Sequence, residues 1–134
     1  MISRRTILLM LATVTVFGQN LPAWAAGGGG PVRMFDTDND GTIDLMEAKK
    51  AASAVFDRLD RDKDGTLDRR ELNRRLSPTE FAAADPDHDG TLTKDEYLAV
   101  VEQRFNGANP DKDGTLDAKE LGSAAGKALL RLMR

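Results

Sequence analysis

Four acidic segments recur along the chain at a nearly constant distance from one another. They open at Asp36, Asp60, Asp85 and Asn109, so the period is 24, 25 and again 24 residues. Each segment has acidic or amide side chains at its first, third and fifth positions, a glycine at its sixth and a glutamate at its twelfth. The chain contains no cysteine, so any metal ion held here must have oxygen ligands. Carboxylates in this arrangement indicate a site for a hard cation.

The first segment, residues 36–47, fits the twelve-residue EF-hand loop at every diagnostic position, and the repeats therefore resemble EF-hand proteins. The resemblance implies a calcium ion bound by oxygens from positions 1, 3, 5, 7, 9 and 12, with a bidentate glutamate at position 12. Gly41 at position 6 permits the sharp turn. A single copy of the pattern is also compatible with a solvated acidic turn. Acidic turns have no reason to recur four times at this spacing, so we expect up to four Ca²⁺ ions.

The metal ligands implied by the resemblance follow the same positional pattern in every loop, with a backbone carbonyl from the threonine at position 7 and a position 9 side chain that acts directly or through water. They are Asp36, Asp38, Asp40, Thr42, Asp44 and Glu47 in loop 1 (residues 36–47), Asp60, Asp62, Asp64, Thr66, Asp68 and Glu71 in loop 2 (60–71), Asp85, Asp87, Asp89, Thr91, Thr93 and Glu96 in loop 3 (85–96), and Asn109, Asp111, Asp113, Thr115, Asp117 and Glu120 in loop 4 (109–120).

The loops differ in charge. Loops 1 and 2 have five carboxylates each at ligand positions, whereas loops 3 and 4 have four, because Thr93 and Asn109 replace an aspartate. These 18 carboxylates are most of the 22 acidic residues in the chain. Since affinity in this motif depends on ligand charge, we expect loops 1 and 2 to bind more tightly. Four ions would also turn the mature protein from net negative to net positive. His88, at the outward position 4 of loop 3, is interpreted as a solvated side chain.

Residues 1–25 have the organisation of a secretory signal peptide, with basic residues at 4–5, an apolar run at 7–17 and small residues at 23 and 25. We expect cleavage after Ala25, followed by a flexible glycine-rich tether over residues 26–31. The alternative, an uncleaved anchor, requires a longer apolar run. The paired arginines resemble a twin-arginine signal, but an ordinary Sec signal also accounts for them. Either route predicts an exported protein, periplasmic or secreted, with no stable membrane span after cleavage.

The predicted fold class is all-α, an EF-hand domain over residues 32–134 with four helix-loop-helix units and short inter-loop helices. Only residues 48–59 separate loops 1 and 2, so either one helix serves both loops or two very short helices meet at a bend. Residues 94–106 contain no helix breaker and predict one continuous helix. The capping box from Ser77 to Glu80 predicts a helix ending near Leu76 and another beginning at Pro78.

The loops are expected to pair back to back through their position 8 residues. The family resemblance implies pairing of loop 1 with loop 2 and of loop 3 with loop 4. The position 8 residues are Ile43, Leu67, Leu92 and Leu116. The stretch from Ala124 to Arg134 is expected to pack as the last helix, with docking to a partner or an anionic surface as the alternative.

Two functions remain open at the level of sequence. One is calcium buffering or a calcium-stabilised structural role outside the cytoplasm; the other is a calcium-responsive sensor or interaction module that binds an unidentified protein partner. The short period also resembles dockerin repeats, but dockerins have two repeats and usually aspartate at position 12. No enzyme activity is expected, because the well-placed carboxylates are assigned to metal and no nucleophile-base pair remains. No nucleic-acid partner is expected.

Overall fold

A computed structural model describes residues 30–134 of the chain. The predicted signal peptide, its cleavage site and most of the predicted tether lie outside the described residues. Within this range the chain forms six helices and four two-residue strands. The helices are α1 (Pro31–Phe35), α2 (Leu45–Leu59), α3 (Pro78–Ala84), α4 (Lys94–Ala108), α5 (Ala118–Leu121) and α6 (Ala124–Met133), and the strands are β1 (Ile43–Asp44), β2 (Thr66–Leu67), β3 (Leu92–Thr93) and β4 (Thr115–Leu116).

Two long helices connect successive loops. The 15-residue helix α2 leaves loop 1 and enters loop 2, and the 15-residue helix α4 does the same for loops 3 and 4. In α2 the residues Ala48, Ala52 and Phe56 recur at intervals of four and are all buried, which is the apolar stripe of a core-facing helix. One shared helix therefore serves both loops, which confirms the first of the two alternatives for residues 48–59, and this helix is longer than the short inter-loop helices expected. The continuous helix predicted from residue 94 is confirmed and extends to Ala108.

The strands pair in an order that differs from the expected one. β1 pairs antiparallel with β4, so Ile43 faces Leu116, and β2 pairs antiparallel with β3, so Leu67 faces Leu92. The pairing of loop 1 with 2 and of loop 3 with 4 is thus wrong. A 15-residue helix is about 22 Å long and holds its two loops at opposite ends, where they cannot meet. All four position 8 side chains have no exposed surface, and their predicted bridging role is confirmed.

The segment after loop 2 does not form the predicted helix. Residues 69–76 are turns, in which Asn73 and Arg74 adopt left-handed backbone angles with φ of 47° and 64°. Leu72 and Leu76 are both buried. Their spacing suits a helix, but the chain must reverse here to bring loop 3 against loop 2. The predicted start of the next helix is confirmed, since Ser77 caps α3 and exchanges both hydrogen bonds of a capping box with Glu80.

The C-terminal helix α6 completes the core. It packs against α4 and α2 and buries Leu129 and Leu132 completely, as expected for the last helix. It is a separate helix from α5, because α5 ends at its C-cap residue Gly122 and Ser123 caps the start of α6. Tyr97 donates a hydrogen bond of 2.7 Å to the Leu132 carbonyl. Burial raises the pKa of this tyrosine to about 12.

Among residues 30–134, no helix is long and apolar enough to span a bilayer.

Candidate metal centre

The four loops share one backbone conformation. The glycine at position 6 has a φ between 84° and 89° in every loop, a range that only glycine adopts at low cost. The preceding position 4 residue is also left-handed, with φ between 56° and 62°, and at this position stand Asn39, Lys63, His88 and Lys112. Loop 4 therefore has the same turn as the others, although its opening residue differs. His88 is exposed, in agreement with its predicted outward position.

Backbone N–H groups hold the opening aspartate in the first three loops. The glycine at position 6 donates to Oδ2 of Asp36 at 2.9 Å, of Asp60 at 3.1 Å and of Asp85 at 2.9 Å. The N–H of position 5 donates to Oδ1 of the same aspartates. These contacts hold the position 1 carboxylate inside the turn.

The position 5 aspartate accepts two hydrogen bonds from the threonine at position 7 in all four loops. In loop 1, Oδ1 of Asp40 accepts from the N–H and the hydroxyl of Thr42, both at 2.8 Å. The same pair of contacts occurs in the other three loops. Sequence reasoning assigned only the threonine carbonyl a role. The repetition of threonine at position 7 in every loop was the available signal for this second contact.

A capping box positions the glutamate at position 12 in each loop. The position 9 side chain accepts a hydrogen bond from the glutamate N–H, and the glutamate carboxylate accepts one from the position 9 N–H. In loop 1 the Glu47 carboxylate also accepts from the N–H of Thr37 at 2.6 Å. In loop 2 the Glu71 carboxylate accepts from the N–H of Arg61 at 3.2 Å. In loops 1 and 2 the position 12 carboxylate thus folds back over the start of its loop.

Carboxylate oxygens converge in three of the loops. The groups have oxygens within 4.8 Å of one another, and they comprise Asp36, Asp38 and Asp40 in loop 1, Asp60, Asp62 and Glu71 in loop 2, and Asp85, Asp87 and Glu96 in loop 3. In the described part of the chain, the acidic residues of loop 4 do not form such a group. The other predicted ligands of loops 1 to 3 lie in the same loops, outside these tight groups.

Loop 4 has a different first donor. Asn109 is only 6% exposed, and its Oδ1 atom is buried with no hydrogen-bond partner in the described structure. An amide oxygen in this situation costs free energy unless a donor or a cation satisfies it. Amide oxygens are ordinary calcium ligands, so the chemistry of Asn109 fits the predicted donor set of loop 4.

The electrostatics of the loops show how closely the negative charges are held. For Glu47, burial works to raise the pKa of the carboxyl, but hydrogen bonds from Thr37 and Asp44 outweigh it and lower the pKa. For Asp87, the hydrogen bond with Asp85 and burial raise the pKa. The pKa of Asp85 is correspondingly lowered by hydrogen bonds, against its own burial. Positions 1 and 3 thus compete for a proton, a competition that a divalent cation would relieve.

Comparison with known protein families agrees with this geometry. The EF-hand family profile matches residues 33–50, 53–77 and 79–101. These matches cover the first three loops with their flanking segments. No curated protein shows a significant sequence match to the chain. The three matched segments, and with them loops 1 to 3, are therefore similar to EF hands.

Proposed function

We propose that the protein binds up to four calcium ions, one in each loop, through the ligands predicted above. The observation that carries the proposal is the repeated arrangement of positions 5, 7, 9 and 12, which is hydrogen-bonded in the same way in all four loops. Loop 4 is included because it shares this arrangement and the left-handed turn, and because the buried Asn109 oxygen has no other partner. The chain supplies hard oxygen donors only, which suit Ca²⁺ better than thiophilic metals.

The role that the sequence and the packing favour is calcium buffering or calcium-stabilised structure in an exported, non-enzymatic protein. Export is supported by the signal-like organisation of residues 1–25. Closure of the core supports the buffering role, since α6 fills the space between α2 and α4 with buried Leu129 and Leu132. A sensor needs an apolar groove that opens for a partner.

A second candidate is a calcium-responsive interaction module, and one feature favours it. Met34, just before loop 1, and Met46, at position 11 of loop 1, are 64% and 79% exposed. A cavity of about 290 Å³ lies beside Met34 and is also lined by Glu47, the position 12 residue of loop 1. An ion that engages Glu47 would change the wall of this cavity. A partner that binds in this cavity would therefore respond to calcium in loop 1.

Isothermal titration calorimetry of the cleaved protein tests the proposal. We expect calcium heats that saturate at up to four ions per chain and that disappear when all four position 12 glutamates are changed to glutamine. The substitution keeps the capping box but removes the charged bidentate ligand. Magnesium should give much smaller heats. Calcium heats that survive the fourfold substitution would contradict the assignment of the ions to these loops.

The export proposal has its own test. Mass spectrometry of the protein recovered outside the cytoplasm should give an N-terminus at Ala26. A chain that retains residues 1–25 after export would contradict the cleavage site. Changing Arg4 and Arg5 to lysine should abolish export by a twin-arginine route and leave export by a Sec route intact.

A further inference from the structure

The end of loop 2 and the turn that follows it carry a cluster of arginines whose side chains have no aspartate or glutamate partner among residues 30–134. Residues 69–75 include Arg69, Arg70, Arg74 and Arg75. The ion pairs among residues 30–134 are Lys49 with Glu102, Lys94 with Asp57 and Arg104 with Glu80, so none involves this cluster. Arg69, Arg70 and Arg74 are exposed.

The arginines stand on a turn of fixed shape. Asn73 and Arg74 have positive φ, which costs free energy in residues other than glycine and persists only where the surroundings enforce it. Here the buried Leu72 and Leu76 on either side enforce it. The Arg69 guanidinium lies 5.1 Å from the centre of the Phe81 ring, a cation-π distance. The backbone that carries the arginines therefore has a fixed shape, and Arg69 is held against Phe81.

A small cleft with an apolar floor lies between these arginines. Its volume is about 180 Å³, and Arg69, Leu72, Arg74, Leu76, Pro78 and Phe81 line it. Sites for small-molecule ligands usually measure roughly 300 to 1,000 Å³, so this cleft has room for little more than one side chain. An acidic peptide with one apolar side chain would pair its carboxylates with the arginines at the rim of the cleft and place the apolar side chain on the floor. A flat anionic membrane would contact the rim only and leave the recessed floor empty.

Calcium binding would change the net charge of the region around the cleft. Residues 58–96, which include loops 2 and 3 and the arginine cluster, contain eight basic and eleven acidic residues. Their net charge is −3 without metal, and two calcium ions bring it to +1. Because β2 pairs with β3, loops 2 and 3 lie side by side. The charges of the ions in both loops therefore act on the cleft. Calcium loading therefore removes the negative excess that repels an acidic partner from the arginines.

We propose that the cleft beside Arg69 and Arg74 binds an acidic peptide segment with one apolar anchor residue when loops 2 and 3 hold calcium. The calcium dependence of this binding rests on the proposed function. Arginine clusters recognise acidic motifs through charge-assisted hydrogen bonds, and the apolar floor adds selection for the anchor residue.

The test uses the cleaved protein with saturating calcium and a fluorescein-labelled nonapeptide of eight glutamates around a central leucine. Fluorescence anisotropy should show binding that weakens at high salt, is lost in chelator and falls when the leucine is replaced by serine. The double variant Arg69→Glu with Arg74→Glu should bind on the order of tenfold more weakly or worse. The matched control is Arg33→Glu with Lys127→Glu, which makes the same charge change at exposed sites outside residues 58–96 and should bind like the parent protein.

Calorimetry and circular dichroism on the same samples separate the two proposals. Absence of calcium heats in the parent protein contradicts the proposed function; normal calcium heats without peptide binding overturn the inference. Equal weakening in both double variants, or binding to phosphatidylglycerol vesicles without binding to the peptide, also overturns it. If the Arg69→Glu, Arg74→Glu variant loses its helical spectrum, the variant Arg69→Gln with Arg74→Gln is measured in its place. It removes the two positive charges without adding negative ones. A peptide affinity unchanged in that variant contradicts the proposal.

Discussion

Ligand charge sets the behaviour of each loop at the scale of single residues. We predict two affinity classes, because loops 1 and 2 have five carboxylates at ligand positions and loops 3 and 4 have four. Glu47→Gln or Glu71→Gln should remove a tighter site, and Glu96→Gln or Glu120→Gln a weaker one. Extracellular EF-hand sites commonly bind at roughly 0.1 to 1 mM, so the weak class would suit the export proposed above. Calorimetry that finds four equal affinities would refute this ranking.

A single glycine determines how closely α6 approaches α5. A Cβ atom at Gly126 would lie 2.2 Å from the Glu120 carbonyl oxygen and 2.5 Å from the Leu121 Cα, both parts of the backbone. We predict that Gly126→Ala lowers the free energy of unfolding by about 1 to 3 kcal/mol. The matched control is Gly107→Ala in α4, where nothing lies within 4 Å, and it should be neutral or slightly stabilising. Chemical denaturation with saturating calcium measures both; equal effects would argue against the close approach.

Glu80 links α3 to α4 and makes stability depend on pH. Hydrogen bonds from the Ser77 N–H and hydroxyl, with the Arg104 guanidinium at 2.7 Å, lower the pKa of this carboxyl below its ordinary value of 4.5. A lowered pKa in the folded state gives stability that is present above pH 4.5 and is lost as the pH falls through the lowered value. Because the side chain is half exposed, the contribution is about 0.5 to 1 kcal/mol.

Glu80→Gln keeps the capping box and removes the charge. We expect the variant to be less stable than the parent protein at pH 7, and we expect this difference in stability to shrink as the pH falls from 4.5 towards 3. Calcium binding by the loops also depends on pH, but this dependence is common to both proteins and cancels in the comparison. Denaturation curves at the two pH values provide the measurement. A constant difference across this range would mean that the charge of Glu80 contributes nothing.

At the scale of elements, the strand pairing decides which ions influence each other. We predict that Glu47→Gln shifts the calcium response of loop 4, its partner through β1 and β4, more than that of loop 3. The backbone amides of the position 6 glycines report each loop separately by nuclear magnetic resonance. Gly114 should require more calcium in the variant, while Gly90 should titrate as in the parent protein. A shift at Gly90 with Gly114 unchanged would contradict the pairing seen here.

Most elements could be predicted from the sequence, but their pairing could not. The helix from Lys94 and the start of α3 at Pro78 follow from uninterrupted helical sequence and from a capping box. Each loop offers the same kind of aliphatic residue at position 8, such as Ile43 or Leu67, so side-chain type does not encode the partner. The rigid length of α2 decides it. The turn after loop 2 was missed because Leu72 and Leu76 are spaced as in a helix and the reversal is imposed by tertiary contacts.

The candidate site could be predicted more completely than the fold around it, because a loop of twelve residues supplies its own ligand geometry. The structure brings three tight carboxylate groups together in loops 1 to 3. Contacts between residues of different segments were not foreseen, such as the hydrogen bond from Arg104 to the Ala128 carbonyl. Contacts of this kind depend on where α4 and α6 meet, and no local pattern specifies that meeting.

At the scale of the whole molecule, 18 carboxylates are crowded into four loops around a small core. Without metal, their mutual repulsion opposes the compact state, and a small domain has little burial to offset it. Calcium neutralises this repulsion and fixes the position of the helices at each loop. Folding and calcium binding should therefore be linked, with each ion adding about 2.7 kcal/mol when free calcium is 100 times the dissociation constant.

Thermal unfolding followed by far-ultraviolet circular dichroism, in chelator and in saturating calcium, tests this linkage most directly. We expect a stronger helical signal and a markedly higher melting temperature with calcium, and only a small effect of magnesium at the same concentration. The Gln substitution of all four position 12 glutamates should remove the calcium effect. A chelated protein that is already fully helical and melts at the same temperature as the calcium-saturated protein would contradict the account.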